Sequence, residues 1–572
     1  MVNIEEKIEE FRTIFLGEDW VWRKGQIEAI KTIIETYLNK TQQVIILSAP
    51  TGAGKSSVIM CSSWIFNQMK LSSYILTSEI SLQQQYETDF KKFNLNWGSI
   101  QGIDRYECID NFEKNSLGTC RIRNKAPKTF HCYNDCPYFS ARDKASQTQT
   151  SLLNYSYWLI QQNYVNEKIE ESLFKSRPIL FADEAHKLVD IVQNHFSPRI
   201  TDKTIDKIEK LTDFFYNFHV QDHKINFQKI KIAIKQLYEI ENQDKLFQLL
   251  SEIELNLETY KPSWELLKDK VKKEYPKHDP PKEWKEALRN CDWIKDLHCK
   301  FEDYIDIIEN TNTRNLIKNP GLEKELVFNC LEESYLMHKY FHKHYEFVVL
   351  TSATFGNPSE YIKSLALKNA KYIKVDNLFD YSKSPIYFYN KHRMSYKEIN
   401  NNIPWLIEKV DEILDKHENE NGIIHSVSFE LALKVYNGVS KKNKRRILIY
   451  NGTEEKMQVL DILKKGKDKV IMGPSLITGI DLKNDFSRFC LFLKTPYASL
   501  GDKFVKSKME INSNWYAEKT IVDILQGAGR VIRNENDWAI TYFLDATFSD
   551  LLFKHRKSFP YEFLQRIKVV DD

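Results

Sequence analysis

The sequence predicts an α/β protein with two parallel-sheet domains, the first of which is interrupted by a cysteine-bearing segment and by an all-helical insertion. Two observations support this prediction. Short apolar, β-branched runs alternate with helical periodicity before residue 200 and again after residue 340, and strands that alternate with helices form parallel sheets covered on both faces. Between the two blocks the apolar periodicity is helical.

Length, composition and charge exclude several classes of protein. The chain has 572 residues, enough for three or four domains, and its 42% hydrophobic and 13% aromatic content excludes global disorder. The net charge of +3 neither requires nor excludes a polyanionic partner. No uncharged apolar run approaches the roughly 18 residues of a membrane span, and the acidic, amphipathic N-terminus lacks the features of a signal peptide. We therefore expect a protein that is neither secreted nor inserted in a membrane.

Apolar runs bounded by turn signals are predicted as strands. They are Gln43–Ser48, Ser73–Thr77, Pro178–Ala182, Phe347–Thr351, Ile386–Tyr389, Gly422–His425, Arg446–Tyr450, Lys469–Met472, Phe489–Leu493 and Ala539–Leu544. In the helical block the residues predicted to share one helix face are Leu246, Leu249, Leu250, Ile253 and Leu257. Adjacent prolines in Tyr275–Trp284 predict an interruption of the helices.

A glycine-rich loop follows the first predicted strand. Ala49–Ser56 reads APTGAGKS and precedes a predicted helix, which is the setting of a phosphate loop. Gly52 and Gly54 allow the backbone N–H groups to face phosphate oxygens, Lys55 would reach the β- and γ-phosphates, and the Ser56 hydroxyl would bind Mg²⁺. The residues expected to contact the nucleotide are Pro50, Thr51, Gly52, Ala53, Gly54, Lys55 and Ser56. The alternative is a glycine turn that binds nothing.

A pair of carboxylates follows the strand Pro178–Ala182. In Phe181–His186, FADEAH, Asp183 is placed to hold Mg²⁺ and Glu184 to orient and deprotonate a water molecule. Such a pair alone is often a helix N-cap. Together with the phosphate loop, it indicates ATP hydrolysis.

Two arginines near the C-terminal end of the chain have helical spacing. Gln526, Gly529, Arg530 and Arg533 lie at i, i+3, i+4 and i+7, so the two guanidinium groups would share one helix face. They could pair with surface carboxylates, but beside a phosphate loop we favour a role at the γ-phosphate, with Gln526, Arg530 and Arg533 supplied across a cleft. Because one phosphate loop is visible, the second domain would complete the site without a nucleotide of its own.

These motifs, in this order, resemble superfamily 2 helicases and, within them, the XPD/DinG type. The resemblance is carried by Arg23 and Gln26 in RKGQ, Ala49–Ser56, Asp183–His186, Thr351–Thr354 in TSAT, Gly422–Val427 in GIIHSV, Ser475–Leu482 in SLITGIDL with Asp481, and Gln526–Arg533 in QGAGRVIR. It implies two RecA-like motor domains, with Arg23 and Gln26 at the adenine and Asp481 among the nucleotide contacts.

Four cysteines lie between the phosphate loop and the carboxylate pair. Cys108, Cys120, Cys132 and Cys136 are separated by eleven, eleven and three residues. A structural zinc site usually uses two short pairs, so an iron–sulfur cluster is favoured over zinc or free thiols. Cys136–Arg142 and Asn154–Tyr157 resemble the sequence that leaves the 4Fe–4S domain of the XPD/DinG type, although the Cys132–Cys136 spacing differs. The other cysteines are predicted to be small buried hydrophobes: Cys61, Cys291, Cys299, Cys330 and Cys490.

Basic and aromatic residues are interleaved with these four cysteines. The basic ones are Arg121, Arg123, Lys125 and Lys128, and the aromatic ones are Tyr106, Tyr133 and Tyr138. They could form a solvated charged surface. Our hypothesis is that the basic residues contact phosphates of a single strand and that a tyrosine stacks on a base or acts as a wedge.

The resemblance implies an ATP-dependent DNA helicase that uses ATP, Mg²⁺ and a 4Fe–4S cluster and moves 5′→3′ on single-stranded DNA. It divides the chain into a first motor domain at 1–99, 151–199 and 341–380, a cluster domain at 100–150, an Arch-like domain at 200–340 and a second motor domain at 381–572. Expected partners are single-stranded DNA and duplex–single-strand junctions. We expect a monomer in the cytoplasm, nucleoid or nucleus, acting in DNA repair or replication. Alternatives are an ATPase that remodels protein–DNA complexes, an RNA helicase and an ATP-dependent switch.

Overall fold

The structure is a computed structural model. It describes residues 3–50, 52–122, 127–166, 172–240, 242–276, 278–310, 316–320, 325–375, 381–450, 453–474, 476, 486–529 and 537–570. Among these residues we find no helix with both the length and the apolar character needed to cross a bilayer.

The first part of the chain contains helices that alternate with short strands. The elements are α1 (Ile4–Phe11), α2 (Gln26–Leu38), β1 (Val44–Ser48), α3 (Lys55–Gln68), β2 (Ser73–Thr77), α4 (Ile80–Lys92), β3 (Gly98–Ile100), α5 (Thr119–Ile122), α6 (Pro137–Gln147), β4 (Thr150–Asn154), α7 (Tyr155–Ile160), β5 (Ile179–Asp183), α8 (Leu188–Phe196) and β6 (Arg199–Ile200). Every residue of β1, β2 and β5 is buried, as expected of parallel strands that have helices on both faces.

The insertion is mainly helical. Its elements are α9 (Asp202–Asn217), α10 (Lys224–Glu239), α11 (Gln243–Glu258), α12 (Lys261–Glu274), α13 (Lys282–Asn310), β7 (Leu316–Pro320), β8 (Leu326–Cys330) and α14 (Glu333–Tyr340). The predicted apolar face of α11 is buried, and the predicted interruption falls between α12 and α13. The insertion also carries strands that the sequence analysis did not predict, since β6, β8 and β7 form an antiparallel sheet at its base.

The remaining elements return to the α/β pattern. They are β9 (Phe347–Ser352), α15 (Pro358–Ser364), β10 (Ala370–Lys374), β11 (Ile386–Tyr389), α16 (Ile399–Lys416), β12 (Gly422–His425), α17 (Phe429–Gly438), α18 (Lys441–Lys444), β13 (Ile447–Ile449), α19 (Thr453–Lys465), β14 (Val470–Gly473), β15 (Phe489–Phe492), α20 (Lys503–Ile511), α21 (Ser513–Ala528), β16 (Ile540–Phe543), α22 (Phe548–Lys554), α23 (Tyr561–Gln565) and β17 (Ile567–Val570).

Two parallel sheets organise these elements and confirm the predicted fold class. The first has the strand order β10-β1-β9-β5-β2-β4-β3, and the second β13-β14-β12-β15-β16-β11-β17. All pairs within both sheets are parallel. Each strand predicted from the sequence is present, with ends that agree within one residue. In the first sheet β9 lies between β1 and β5, although it follows them by more than 160 residues in the chain.

Candidate nucleotide site and cysteine cluster

The strand order brings three sequence motifs to one edge of the first sheet. Ser48 at the end of β1 pairs with Ser352 on β9, and Asp183 at the end of β5 pairs with Thr351. The N–H of Ala49 also donates a 2.9 Å hydrogen bond to the carbonyl of Ser352. Because the strands are parallel, their carboxyl ends place the phosphate loop, the carboxylate pair and the TSAT segment side by side.

The phosphate loop turns through two left-handed glycines. Gly52 has a φ of 82° and Gly54 a φ of 77°, and α3 begins at the next residue, Lys55. The Nζ of Lys55 donates a 3.3 Å hydrogen bond to the carbonyl of Ala49. The loop therefore presents the start of a helix and a lysine at the sheet edge, which is an arrangement suited to an anion.

Gln26 braces this loop from α2. Its Nε2 donates to the carbonyls of Ala53, at 3.0 Å, and Gly54, at 3.1 Å, while its Oε1 accepts the N–H of Arg23 at 2.7 Å. The side chain is 1% exposed. A Cβ at Gly54 would lie 2.3 Å from Gln26 Nε2. Gln26 thus stabilises the loop through its backbone carbonyls, a role that was not predicted from the sequence.

Asp183 is held by donors from three parts of the chain. Its Oδ2 accepts from the Tyr86 hydroxyl at 2.9 Å, and its Oδ1 accepts from the Thr351 hydroxyl and from the N–H of Glu184, both at 2.9 Å. Burial raises the pKa of the Asp183 carboxyl, and the charge of Glu184 raises it further, whereas the Lys55 ammonium and the two hydroxyl donors lower it. The carboxylate is therefore oriented and would gain from a nearby cation.

Glu184 lies in a left-handed conformation with a φ of 53°. Such backbone geometry is unfavourable for a residue with a Cβ and is often found at functional sites. Glu184 Oε2 lies 3.2 Å from His186 Nδ1, which is itself 2.8 Å from the Ser352 hydroxyl. The Tyr361 hydroxyl donates to the carbonyl of Ala185 at 2.6 Å. The carboxylate motif is thus linked to β9 and to α15.

The second sheet unit faces this edge through α21. A cavity of about 360 Å³ between the two units is lined by, among others, Pro50, Thr354, Gly356, Gln526 and Gly529. Gln526 is 6% exposed, and its Nε2 has no hydrogen-bond partner within the part of the chain that the structure describes. A buried amide without a partner is unfavourable, so Gln526 is suited to a polar ligand in the cavity.

Four of the predicted site residues, Thr51, Asp481, Arg530 and Arg533, lie outside the described residues. Helix α21 ends at Ala528, and Gly529 is its C-cap. The predicted helix face that carries both arginines therefore stays a prediction.

The four predicted metal-ligating cysteines lie close enough to influence one another electrostatically. Cys108, Cys120 and Cys136 are buried, and Cys132 is half-buried. Burial raises the pKa of the Cys120 thiol, and the other three cysteines raise it further. Burial also raises the pKa of Cys132, with smaller contributions from Asp110, Cys108 and Cys136. This mutual influence places the four cysteines in one neighbourhood, as a cluster bound by four thiolates requires, while among the described residues no three of these sulfurs form a group within 4.8 Å of one another.

Two packing contacts beside the cysteine sulfurs are compatible with a metal cluster. The Asn115 amide donates to Cys136 Sγ at 3.3 Å, a contact of the kind that tunes thiolate ligands. A Cβ at Gly118 would lie 3.2 Å from Cys108 Sγ, so glycine leaves space beside that sulfur.

The aromatic residues of this segment pack against one another. Tyr138 is 7% exposed and contacts Tyr106 edge-on, with a centroid distance of 5.6 Å, while Tyr133 stacks on Phe139 at 4.9 Å. The ring of Tyr138 belongs to the local core, and the hypothesis that one of the three tyrosines stacks on a base stays a prediction. Among the basic residues, Arg121 and Lys128 are exposed, and Arg123 and Lys125 lie outside the described residues.

Comparisons with known proteins agree with this architecture. The family described as Helicase C-terminal domain matches residues 411–563, and the family described as Type III restriction enzyme, res subunit, matches residues 19–219. The structure of S. tokodaii Xpd4 matches with a TM-score of 0.62 at 15% identity. The matched region covers 96% of this chain and 100% of the Xpd4 chain. A structure described as XPD_Helicase has a TM-score of 0.62 at 17% identity, with coverage of 95% and 98%. A search of curated proteins finds no match.

The chain therefore has the fold of the XPD helicase structures, over nearly the full length of both chains. Two of its segments match the family models Helicase C-terminal domain and Type III restriction enzyme, res subunit.

Proposed function

We propose that this protein is a helicase that hydrolyses ATP to move 5′→3′ along single-stranded DNA and to separate duplex DNA at junctions. The observation that carries the proposal is the sheet edge shared by the phosphate loop, Asp183 and Thr351. Gln526 lines a cavity that Pro50 and Thr354 also border, next to this edge. A site divided between two units couples hydrolysis to their closure. The choice of DNA and of direction rests on the resemblance to the XPD/DinG type.

The first unit would supply most of the phosphate contacts. Lys55 would exchange its contact with the Ala49 carbonyl for the β- and γ-phosphates, and the N–H groups of Gly52–Lys55 would face the same oxygens. Ser56 and Asp183 would hold Mg²⁺, which neutralises phosphate charge. The hydroxyls of Tyr86 and Thr351 keep both oxygens of Asp183 oriented for this role.

Hydrolysis itself would depend on Glu184 and on groups from the second unit. Glu184 would orient and deprotonate the water molecule, with His186 holding its carboxylate. Gln526 would contact the γ-phosphate or the water once the units close, and Arg530 and Arg533 would stabilise the charge that develops on the phosphoryl group. The assignment of the two arginines rests on the sequence motif.

Adenine recognition would fall to the segment before the phosphate loop. The Arg23 guanidinium is exposed and lies 3.9 Å from the position of a Cβ on Gly54, so it can border the nucleotide. Gln26 would act by holding the loop in place as well as by contact with the base. Asp481 would complete the nucleotide contacts from the second unit.

The four cysteines would hold a 4Fe–4S cluster, which would cross-link the segments around it. Support comes from the electrostatic proximity of the four cysteines, of which three are buried, and from the resemblance of the flanking sequence. The exposed Arg121 and Lys128 would contact phosphates of the single strand, together with Arg123 and Lys125. We propose the domain boundaries given by the sequence analysis, with the cluster domain at 100–150 and the Arch-like domain at 200–340.

The nucleotide site is tested by the ATPase rate of Lys55→Ala, with the exposed Lys24→Ala as the matched control. We expect Lys55→Ala to lower the rate by about 10²–10³-fold and to leave binding of single-stranded DNA nearly unchanged. Hydrolysis near the wild-type rate in Lys55→Ala would refute the site.

The substrate and direction are tested by unwinding of 5′-tailed and 3′-tailed DNA duplexes and of matching RNA duplexes. We expect unwinding of the 5′-tailed DNA. Preference for the 3′ tail would overturn the direction, and preference for RNA would overturn the substrate. Displacement of streptavidin from DNA without strand separation would indicate a remodelling ATPase.

The cluster is tested by iron and sulfide analysis after anaerobic purification of the wild type, Cys136→Ser and the control Cys291→Ala. We expect about four irons per chain in the wild type and control and a loss of iron in Cys136→Ser. A wild type that contains zinc and no iron would establish the zinc alternative.

A further inference from the structure

Helix α13 carries a second group of metal-ligating side chains, far in sequence from the four cysteines. One donor atom from each of His298, Cys299 and Glu302 lies within 4.8 Å of the other two. Cys299 is half-buried, which corrects the prediction that it is a buried hydrophobe, whereas Cys61, Cys291, Cys330 and Cys490 are buried as predicted. Cys299 is thus placed at the border between the helical core and solvent.

His298 is the buried member of this group. It is 1% exposed, and its Nδ1 lies 4.0 Å from Glu302 Oε2. Its Nε2 lies 2.7 Å from Oε1 of Glu254 on α11, an ion-pair contact. Its Nδ1, on the other side of the ring, has no hydrogen-bond partner among the described residues. Since buried polar groups are nearly always satisfied, this imidazole is suited to a ligand.

We propose that His298, Cys299 and Glu302 form a binding site for a divalent transition metal of the zinc type. Imidazole nitrogen, thiolate sulfur and carboxylate oxygen are the donors that zinc accepts, and three protein ligands leave a fourth position for water. The side of the ring that faces Glu302 identifies Nδ1 as the ligand atom. Glu254 is then placed to accept the Nε2 proton, as carboxylates do behind metal-bound histidines.

Only small side-chain movements would bring the three ligand atoms to the distances that a metal ion requires. Ligand atoms around a tetrahedral zinc lie roughly 3.3–3.8 Å apart, as follows from its bond lengths of about 2.0–2.3 Å. The Glu302 side chain is 65% exposed and can rotate toward the imidazole. Since Glu254 lies on α11 and the other three residues on α13, the metal would join two helices of the insertion.

The site is tested by metal analysis of the full-length protein, prepared anaerobically with its iron content measured. We compare wild type, Cys299→Ser and His298→Gln with Cys291→Ala, a substitution of a buried cysteine on the same helix. After saturation with Zn²⁺ and removal of excess metal, we expect Cys299→Ser and His298→Gln to hold about one zinc less per chain. Iron content should be equal in all four proteins.

A spectroscopic measurement separates this site from the four cysteines. Co²⁺ bound by one thiolate should give a sulfur-to-metal absorption band in wild type and in Cys291→Ala that is lost in Cys299→Ser. Because His298→Gln alters a buried residue, the exposed Glu302→Gln serves as a second variant, and we expect it to weaken Co²⁺ affinity about tenfold or more. Equal zinc content in Cys299→Ser and Cys291→Ala, or an unchanged Co²⁺ band, would overturn the proposal.

Discussion

The backbone N–H of Asn357 donates a 2.8 Å hydrogen bond to Oε2 of Glu518. Asn357 lies just after the TSAT segment in the first unit, and Glu518 lies on α21, the helix that carries Gln526 in the second unit. The other oxygen of Glu518 accepts from the Ser558 hydroxyl. A buried carboxylate therefore connects the loop beside the nucleotide site to the helix on the opposite side of the cleft.

Substitution of Glu518 by Gln should weaken this connection. An amide replaces one of the two acceptor oxygens, so a donor that is now satisfied will face an NH₂ group. We expect the free energy of unfolding to fall by about 1–2 kcal/mol and the stimulation of the ATPase by single-stranded DNA to fall several-fold. The control is Glu510→Gln, an exposed residue on α20. Stimulation equal to that of the control would show that the contact does not couple the two units.

Two glycines with positive φ should respond differently to alanine. A Cβ at Gly54 would lie 2.3 Å from Gln26 Nε2, whereas a Cβ at Gly17, with a φ of 100°, meets no atom within 4 Å. Both substitutions strain the backbone, by about 1–3 kcal/mol, but only Gly54→Ala also displaces the Gln26 side chain that holds the phosphate loop. We expect Gly54→Ala to raise the KM for ATP at least about tenfold, as measured by steady-state ATPase assays. An equal KM in the two variants would argue against a role for Gln26 in holding the phosphate loop.

Tyr86 and Tyr155 provide a test of the electrostatics at Asp183. Tyr86 donates to the Asp183 carboxylate, and Tyr155 donates to the Asp183 carbonyl at 3.0 Å. The Tyr86 hydrogen bond lowers the pKa of the carboxyl, so Tyr86→Phe should raise that pKa further. The acid limb of the ATPase pH profile should then move to higher pH, with activity lost sooner as the pH falls. Tyr155→Phe should leave the limb in place, and equal shifts would contradict the assignment.

Asp523 should make the free energy of unfolding depend on pH. It borders a cavity of about 530 Å³, and the charged groups that also line this cavity include His186, Lys187, Asp190 and Lys519. Burial raises the pKa of Asp523 to about 6, above the value of about 4 in an unfolded chain. The folded state binds more protons between these values, so the free energy of unfolding falls as the pH rises from about 4 to about 6.

The substitution Asp523→Asn should remove this dependence. Relative to the wild type, the variant should gain about 2–3 kcal/mol between pH 4 and pH 7, as a difference of about two pKa units requires. Chemical denaturation at a series of pH values measures the difference. The exposed Asp461→Asn is the control, and parallel pH dependence in wild type and Asp523→Asn would contradict the prediction.

Features that depend on a short stretch of sequence were predicted correctly. Buried strands such as Ser73–Thr77 are continuous apolar runs, and the phosphate loop and Asp183 follow such runs directly. Four strands of the two parallel sheets were missed. The interior strand β4 reads TSLLN, with only two apolar residues, whereas β3, β10 and β17 lie at sheet edges. These edge strands are short or partly exposed, so their sequences lack the apolar pattern of a central strand.

Contacts between distant segments could not be predicted from the sequence. Tyr86 precedes Asp183 by 97 residues, and Glu518 follows Asn357 by 161. No local pattern relates such pairs, because their proximity is set by the strand order and by the docking of two units. The same holds for Gln26, whose motif suggested contact with the adenine but whose amide also braces the phosphate loop.

The insertion leaves the first sheet after β5 and returns to it at β9, and these two strands are immediate neighbours. Both ends of the insertion are therefore anchored at the centre of the sheet, on the strands that carry Asp183 and Thr351. A mechanical load applied to the insertion would be transmitted to these two strands before it reached any edge of the sheet. Tension on the insertion would therefore act directly on the strands that position Asp183 and Thr351.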